Sequence, residues 1–243
     1  MHIPRPKDAL HKNQLYRLLR EILQHRLLAN HLMFKGGTYA TFRGVLDRFS
    51  VDLDFDLPDA SNKEVIRKEC YKIFDSLGLE IKDESHDYLQ FFLKYESKPD
   101  ERNTLKLEIN DKPSKHNEYE KVLLTGVDMY CNGHNLETMF ANKLVAAKER
   151  FDRNRKIAGR DFYDIHKFFQ EGLTVKKEIV EERTKLDYVE YLEELINLIE
   201  KKVSEELLQR DLNPLLDNEK LKQIKDKLKP ELILFLRDEV ARG

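Results

Sequence analysis

Three aspartates alternate with apolar residues in one short segment of the chain. Asp52, Asp54 and Asp56 occupy every second position between Val51 and Leu57. Because side chains alternate faces along a β-strand, we expect the three carboxylates to share one face while the apolar residues pack on the other. Carboxylates held close together repel one another unless solvent or a cation neutralises them. The segment therefore predicts either the solvated face of an edge strand or a cation site.

Magnesium is the cation whose chemistry suits this segment best. Mg²⁺ prefers hard oxygen ligands, and it commonly takes one or two carboxylates and leaves its other positions to water and phosphate oxygens. We therefore predict Mg²⁺, or Mn²⁺ in its place, as the cation for this segment.

Two other acidic motifs can be tested on the same residues. An EF-hand loop needs glycine after its third acidic residue and a glutamate later, but Leu57 follows Asp56 and Asn62 stands in place of the glutamate. A phosphatase of the haloacid dehalogenase type would use Asp52 as nucleophile and Asp54 as acid, usually with a small β-branched residue where Asp56 stands. Neither motif explains the glycines that precede the segment.

A pair of glycines follows a short apolar run upstream of the aspartates. Lys35-Gly36-Gly37-Thr38 comes directly after the run from His31 to Phe34, and a helix is expected from Tyr39 to Leu46. Glycine lets a backbone approach a ligand closely, and a turn that opens a helix presents N–H groups to phosphate. A phosphate-binding turn and a plain turn both fit this pair.

A basic helix face lies in the second half of the chain. Lys143, Ala147 and Arg150 fall on one side of a helix predicted to start at Leu136, so that a small residue separates two cations. This face suits a triphosphate or an RNA backbone, and a solvated basic surface is the alternative. Asp161 and Asp164 share one side of the next helix, where they either cap its start or orient a partner.

Four blocks of the sequence resemble the AbiEii-like members of the DNA polymerase-β nucleotidyltransferase superfamily. The blocks are Phe34–Thr38, Arg48–Phe55, Lys143–Arg150 and Arg160–Ile165, in that order, within about residues 13–170. They are similar to the family's glycine signature, metal-binding strand, helical lysine block and final acidic block. The tail beyond them carries no signature.

The resemblance implies a metal-dependent enzyme that moves a nucleoside monophosphate from an NTP to an acceptor. It implies catalytic roles for Asp52, Asp54, Lys143, Asp161 and Asp164, with one of the last two orienting Lys143 or the substrate. It also implies that Asp52 and Asp54 are the metal ligands, and Glu108 is the candidate for a third ligand from a neighbouring strand. The nucleotide-binding residues it implies are Lys35, Gly36, Gly37, Thr38, Arg48, Ser50 and Arg150, with Arg48 and Ser50 either bracing the strand or touching phosphate.

The resemblance also implies a toxin of a toxin–antitoxin or phage-defence system, with a cognate antitoxin. Lys+Arg 43 nearly balances Asp+Glu 45, so the positive charge between Lys143 and Lys167 is a local excess. A local patch suits a short structured nucleic-acid end, and we predict the 3′ end of tRNA as acceptor. The alternatives are a catalytically inactive nucleotide- or RNA-binding module of the same fold and a magnesium-dependent phosphohydrolase.

The elements that must position these residues predict an α/β (α+β) fold. A small mixed sheet, with strands near 51–57, 88–95 and 104–109, forms a nucleotidyltransferase core over residues 1–134. A helical domain over residues 135–243 would complete the active site. Its apolar stripe runs from Leu186 to Val203, and Asn213-Pro214 should break the chain before two last helices.

Composition excludes several classes of protein. The two cysteines, Cys70 and Cys131, indicate neither a disulfide framework nor a zinc site, and the eight histidines form no pair at ligand spacing. The apolar runs are far shorter than the roughly 20 residues that span a bilayer. We therefore expect a cytoplasmic protein that does not enter the membrane.

Overall fold

The computed structural model describes residues 3–243 and divides them into two compact units. The first comprises the chain up to Pro113 together with Glu118–Asn135, and the second comprises Ser114–Asn117 together with Leu136–Gly243. The first unit carries a mixed β-sheet and the second is helical, so the predicted α/β class is confirmed.

The first unit is built on a seven-stranded sheet. Its strands are β1 (Met33–Lys35), β2 (Asp52–Asp56), β3 (Glu80–Glu84), β4 (Leu89–Lys94), β5 (Thr104–Asn110), β6 (Tyr119–Leu124) and β7 (Met129–His134). Its α-helices are α1 (Ala9–Gln24), α2 (Arg26–His31), α3 (Gly36–Phe42) and α4 (Lys63–Leu77). The strand order is β3-β4-β5-β2-β1-β7-β6, with β2 parallel to β5 and antiparallel to β1. The aspartate segment is therefore a central strand, and the edge-strand alternative is wrong.

Alternation along the strands gives the sheet one apolar face. Leu53 and Phe55 of β2 are buried, and the ring of Phe55 stacks on that of Phe34 in β1 at a centroid distance of 4.8 Å. In β5, Leu107 is buried while its neighbours Lys106 and Glu108 are partly exposed. Burying one such large apolar side chain stabilises the fold by about 1.5–3 kcal/mol, so this face fixes the strand register. The carboxylates consequently point to the opposite face.

The glycine pair lies inside a helix rather than before one. The predicted helix from Tyr39 to Leu46 is instead Gly36–Phe42. Gly36 adopts a φ of +77°, which lets the chain turn from β1 directly into α3 without the strain that a side chain would add. The aspartates of β2 therefore stand beside the first turn of α3.

The second unit contains seven α-helices among the residues that the structure describes. They are α5 (Leu136–Asn154), α6 (Gly159–Gln170), α7 (Lys177–Thr184), α8 (Tyr188–Lys202), α9 (Glu205–Leu212), α10 (Asn218–Ile224) and α11 (Leu228–Arg242). Leu192, Ile196 and Ile199 of the predicted stripe are buried along α8. Leu186 lies outside that helix, because the Asp187 side chain accepts a hydrogen bond from Val189 N and caps the helix start. The break at Asn213-Pro214 and the two helices after it are confirmed. No helix within residues 3–243 is both long enough and apolar enough to cross a membrane.

Candidate active site

Asp52 and Asp54 bring two carboxylates together on the polar face of β2. In the sheet register, Asp54 lies between Lys35 of β1 and Glu108 of β5. Burial, together with the negative charges of Asp52 and Glu108, raises the pKa of Asp54 to about 6 despite the opposing charges of Lys35 and Lys106. The negative potential at Asp54 is thus only partly compensated by the protein's own cations.

The carboxylate of Asp54 lies against the backbone of Gly36. A Cβ at position 36 would overlap Asp54 Oδ2, and the positive φ of Gly36 would strain any other L-residue as well. Glycine at this position therefore allows the close approach of the Asp54 carboxylate to α3.

Three further residues predicted to bind nucleotide brace α3 against β2. Thr38 Oγ1 donates to the carbonyl oxygen of Asp52 at 2.5 Å and shares a hydrogen bond with Ser50 Oγ at 2.9 Å. Arg48 Nη1 donates to the carbonyl oxygen of Phe49 at 3.0 Å, and its guanidinium fills the space beside Gly37. Thr38, Arg48 and Ser50 are all buried. Of the two roles predicted for Arg48 and Ser50, these contacts favour bracing, and direct phosphate contact through any of the three stays a prediction.

Glu108 stands where a third carboxylate was expected, but its carboxylate has other partners. It lies directly opposite Asp54 in the parallel β2–β5 register. Its Oε2 accepts hydrogen bonds from Lys106 Nζ and, at 3.0 Å, from Gln90 Nε2. Burial alone would raise the pKa of Glu108, but the bond from Lys106 outweighs it and lowers the pKa. Lys106 was not singled out from the sequence.

The donor set on β2 fits a magnesium ion held by two carboxylates. Within residues 3–243, no three His, Cys, Asp or Glu side chains are arranged as a group that could hold a metal ion. Mg²⁺ needs only one or two protein carboxylates when water and substrate phosphates fill the remaining positions. Asp52 and Asp54 meet that requirement, whereas Oε2 of Glu108 is already bonded to Lys106 and Gln90.

Asp56 shares the face of Asp52 and Asp54 but has a different environment. It is fully buried, and its carboxylate accepts hydrogen bonds from His134 Nε2 at 2.8 Å and Lys35 Nζ at 2.6 Å. Burial would raise its pKa, yet the bond from His134 and the charge of Lys35 prevail and lower it. Sequence patterns could not reveal His134 as a partner, because no local spacing connects it to β2.

A second cluster of charged residues lies within the helical unit. Lys143 Nζ of α5 contacts Asp161 Oδ1 at 3.1 Å and Asp164 Oδ2 at 2.9 Å, both on α6. Arg150 Nε contacts Asp161 Oδ2 at 3.2 Å, and Ala147 is buried between the two cations. Lys143 and Arg150 therefore share a helix face, as predicted. The aspartates are buried, so they orient these cations rather than lie in solvent.

The charges of this cluster balance inside the helical unit. Burial would raise the pKa of Asp161, but the charges of Lys143 and Arg150 outweigh it and lower the pKa. Both aspartates are consequently suited to hold the lysine in one position. The sequence left the choice between Asp161 and Asp164 open, and the structure pairs both with Lys143.

The residues of the two clusters follow one another along the chain in the motif order of one enzyme family, and comparison with known proteins shows whether the chain belongs to it. The family model described as nucleotidyl transferase AbiEii toxin, of the type IV toxin–antitoxin system, matches residues 17–234. This chain belongs to the AbiEii nucleotidyltransferase toxin family. Its members are toxins of toxin–antitoxin systems, so the predicted resemblance is confirmed. No curated protein matches the sequence.

Several solved structures share the fold of this AbiEii-family chain. MenT4, a nucleotidyltransferase toxin from Mycobacterium tuberculosis H37Rv, superimposes with a TM-score of 0.60 at 19% identity, covering 97% of this chain and 87% of that chain. A structure described as a putative nucleotidyltransferase from Helicobacter pylori gives a TM-score of 0.58 at 22% identity, covering 96% and 94%. JHP933 from Helicobacter pylori gives 0.58 at 23% identity, covering 96% and 91%. At these identities the likeness establishes the fold alone.

Proposed function

We propose that this chain transfers a nucleoside monophosphate from an NTP to the 3′ end of tRNA, with release of pyrophosphate. Asp52 and Asp54 are the metal ligands in this proposal. The observation that carries it is the carboxylate of Asp54, which is pressed against Gly36 and has its pKa raised to about 6 by burial and by the charges of Asp52 and Glu108. A divalent cation would relieve that unfavourable negative potential.

The residues of the first unit prepare the site for a metal-bound triphosphate. When bound, Mg²⁺ or Mn²⁺ would neutralise negative charge on the phosphates and make an acceptor hydroxyl easier to deprotonate. Asp52 and Asp54 orient their oxygens on one strand face, and Gly36 and Gly37 leave room for the Asp54 carboxylate and the Arg48 guanidinium against α3. Thr38, Arg48 and Ser50 hold this turn against β2.

In this proposal, Lys143 of the second unit binds a phosphate group through its ammonium. The ammonium group of Lys143 is fixed by Asp161 and Asp164, so little conformational entropy is lost when it contacts a phosphate oxygen. Such a fixed cation stabilises the charge that develops in phosphoryl-transfer transition states. Arg150, held by Asp161, binds phosphate beside it.

The distribution of positive charge in the second unit supports a tRNA acceptor. The chain as a whole carries a formal net charge of −2. Several basic residues are nevertheless grouped at the end of α5 and the start of α6, namely Arg153, Arg155, Lys156 and Arg160. Because phosphate contacts release counterions, binding through this group should weaken steeply as salt is raised. Addition of nucleotides to the acceptor end would block aminoacylation, which fits the toxin family and a cognate antitoxin that counteracts it.

One labelling experiment tests the acceptor. The purified protein is incubated with MgCl₂, each α-labelled NTP in turn, and one of three acceptors, namely total tRNA, periodate-oxidised total tRNA or a pool of small metabolites. We expect label on intact tRNA only, because oxidation destroys the terminal hydroxyls. Label on metabolites or on the protein itself, with intact tRNA unlabelled, would overturn the tRNA proposal. Asp83→Asn, an exposed position on β3, is the matched control for Asp54→Asn.

A further inference from the structure

The buried carboxylate of Asp56 has its hydrogen-bonding capacity filled by residues from four other strands. Oδ1 accepts from Lys35 Nζ at 2.6 Å and Asn110 Nδ2 at 3.3 Å, and Oδ2 accepts from His134 Nε2 at 2.8 Å and Tyr119 Oη at 3.2 Å. A carboxylate offers about four lone-pair sites, so these donors occupy them all. Asp56 is therefore unsuited to bind the metal, although it shares a strand face with Asp52 and Asp54.

Lys35 connects this buried group to the active carboxylates. It lies directly opposite Asp54 in the β1–β2 register, and its side chain is 22% exposed whereas that of Asp56 is 0% exposed. The ammonium group has three N–H donors, and one bond to Asp56 leaves capacity for a ligand. Its positive charge also acts to lower the pKa of Asp54, against the larger effects that raise it. The ammonium group of Lys35 is thus held by Asp56, and the residue lies opposite Asp54, which would hold the metal.

His134, another partner of Asp56, is held through both its backbone and its imidazole. The carbonyl oxygen of His134 accepts a hydrogen bond from Tyr39 Oη of α3 at 2.9 Å, while its imidazole donates to Asp56. Gly133 permits this arrangement, because a Cβ there would overlap the Tyr39 ring. Asp56 cannot turn away from Lys35 without losing its hydrogen bonds to His134 and Tyr119.

We infer that Asp56 and His134 are positioning residues that hold the ammonium group of Lys35 beside Asp54, where it binds a phosphate oxygen of the nucleotide. This inference rests on the proposed function, since it requires a triphosphate at Asp52 and Asp54. Asp56, the third aspartate of the segment, then holds Lys35 and does not bind the metal. A fixed lysine binds phosphate with less loss of entropy than a mobile one.

Inorganic tripolyphosphate with MgCl₂ tests the inference without knowledge of the base or the acceptor. Its dissociation constant is measured for the wild type, Lys35→Met, Asp56→Asn and the double variant. We expect Lys35→Met to raise the dissociation constant by about tenfold or more, as loss of a charge-assisted hydrogen bond should. Asp56→Asn should raise it too, and the double variant should bind no more weakly than Lys35→Met, because Asp56 acts through the lysine.

Controls separate positioning from loss of fold. Lys82→Met and Asp83→Asn, both exposed on β3, should leave binding unchanged. If Asp56→Asn does not fold, His134→Gln is substituted in the same cycle, because it keeps an N–H donor in the buried site. Effects of Lys35→Met and Asp56→Asn that simply multiply in the double variant, or tighter binding in Asp56→Asn, would overturn the inference. Failure of the wild type to bind magnesium tripolyphosphate would instead overturn the proposed function on which it rests.

Discussion

The carboxylate of Asp54 occupies the space that a side chain at Gly36 would fill. Gly36 begins α3 with a φ of +77°, and a Cβ on it would overlap Asp54 Oδ2. The glycine pair and strand β2 are therefore parts of one packing arrangement. A change at the glycine is expected to displace the carboxylate.

The first prediction separates this contact from backbone strain. Gly36→Ala should destabilise the protein by about 1 kcal/mol or more, because alanine is strained at positive φ, and it should also abolish transferase activity by moving Asp54. Gly44 is the matched control, since it has a φ of +78° but nothing within 4 Å of a Cβ built on it. Gly44→Ala should show a comparable loss in the free energy of unfolding with activity retained. Equal loss of activity in both variants would contradict the role given to the Asp54 contact.

The second prediction concerns the stability of the metal-free protein. The pKa of Asp54 is raised from 3.8 to about 6, so the folded protein binds more protons than the unfolded chain in that window. This group's contribution to the free energy of unfolding should therefore fall as pH rises from about 4 to about 6. Asp54→Asn should remove that fall and raise stability at neutral pH by about 1–3 kcal/mol, while abolishing transfer.

Chemical denaturation of both proteins across this pH range measures the effect. MgCl₂ should stabilise the wild type at neutral pH and have little effect on Asp54→Asn, because binding to the folded state raises apparent stability. Equal stabilisation of both proteins by MgCl₂ would count against Asp54 as a ligand.

Sequence periodicity alone predicts the placement of residues that act together with near neighbours in the chain. The alternation around Asp52 and Asp54 predicted a shared strand face, and the spacing of Lys143 and Arg150 predicted a shared helix face. Both follow from the repeat of a single regular element. The position of Glu108 on a strand beside β2 was also expected, and the structure places it opposite Asp54.

Partners distant in the chain could not be predicted in the same way. His134 reaches Asp56 across 78 positions of sequence, and Lys106 takes up the carboxylate of Glu108 that was expected to bind metal. Strands β6 and β7 lack the regular apolar alternation that identified β5, so the strand that carries His134 was not predicted. Such contacts depend on sheet order, which a single sequence does not specify.

The third prediction tests the cation of the helical unit. Lys143→Ala should lower kcat by on the order of a hundredfold, as loss of a charge-stabilising donor does elsewhere. It should also destabilise the unit, because the buried carboxylates of Asp161 and Asp164 lose a partner, so rates are measured well below its unfolding temperature. Lys148→Ala is the control on the same helix, since Lys148 pairs with Asp152 and Glu194 instead. Similar rates for the two variants would remove Lys143 from the chemistry.

The fourth prediction concerns the helical unit at mildly acidic pH. His166 is buried, and burial lowers its pKa despite the bond between its Nε2 and Glu231 at 2.8 Å. Its Nδ1 is buried and has no hydrogen-bond partner within residues 3–243. The unfolded chain therefore takes up a proton more readily, and stability should be lost as pH falls below about 6.5, by no more than about 1.4 kcal/mol per pH unit.

Replacement of the imidazole identifies the group responsible. His166→Phe should flatten the pH dependence of the free energy of unfolding between about pH 5 and 7, whereas His86→Gln in an exposed loop should not. An unchanged slope in His166→Phe would assign the acid sensitivity to other groups.

The position of the label in the NTP tests the central claim most directly. The protein is incubated with total tRNA, MgCl₂ and an NTP that carries its label either on the α-phosphate or on the γ-phosphate. Nucleotidyl transfer by Asp52 and Asp54 predicts that only the α-label enters tRNA, that the γ-label appears in pyrophosphate, and that both products disappear in Asp54→Asn but not in Asp83→Asn. Release of the γ-label as inorganic phosphate without any α-label in RNA, by a folded protein at saturating NTP, would contradict the account and indicate phosphohydrolysis instead.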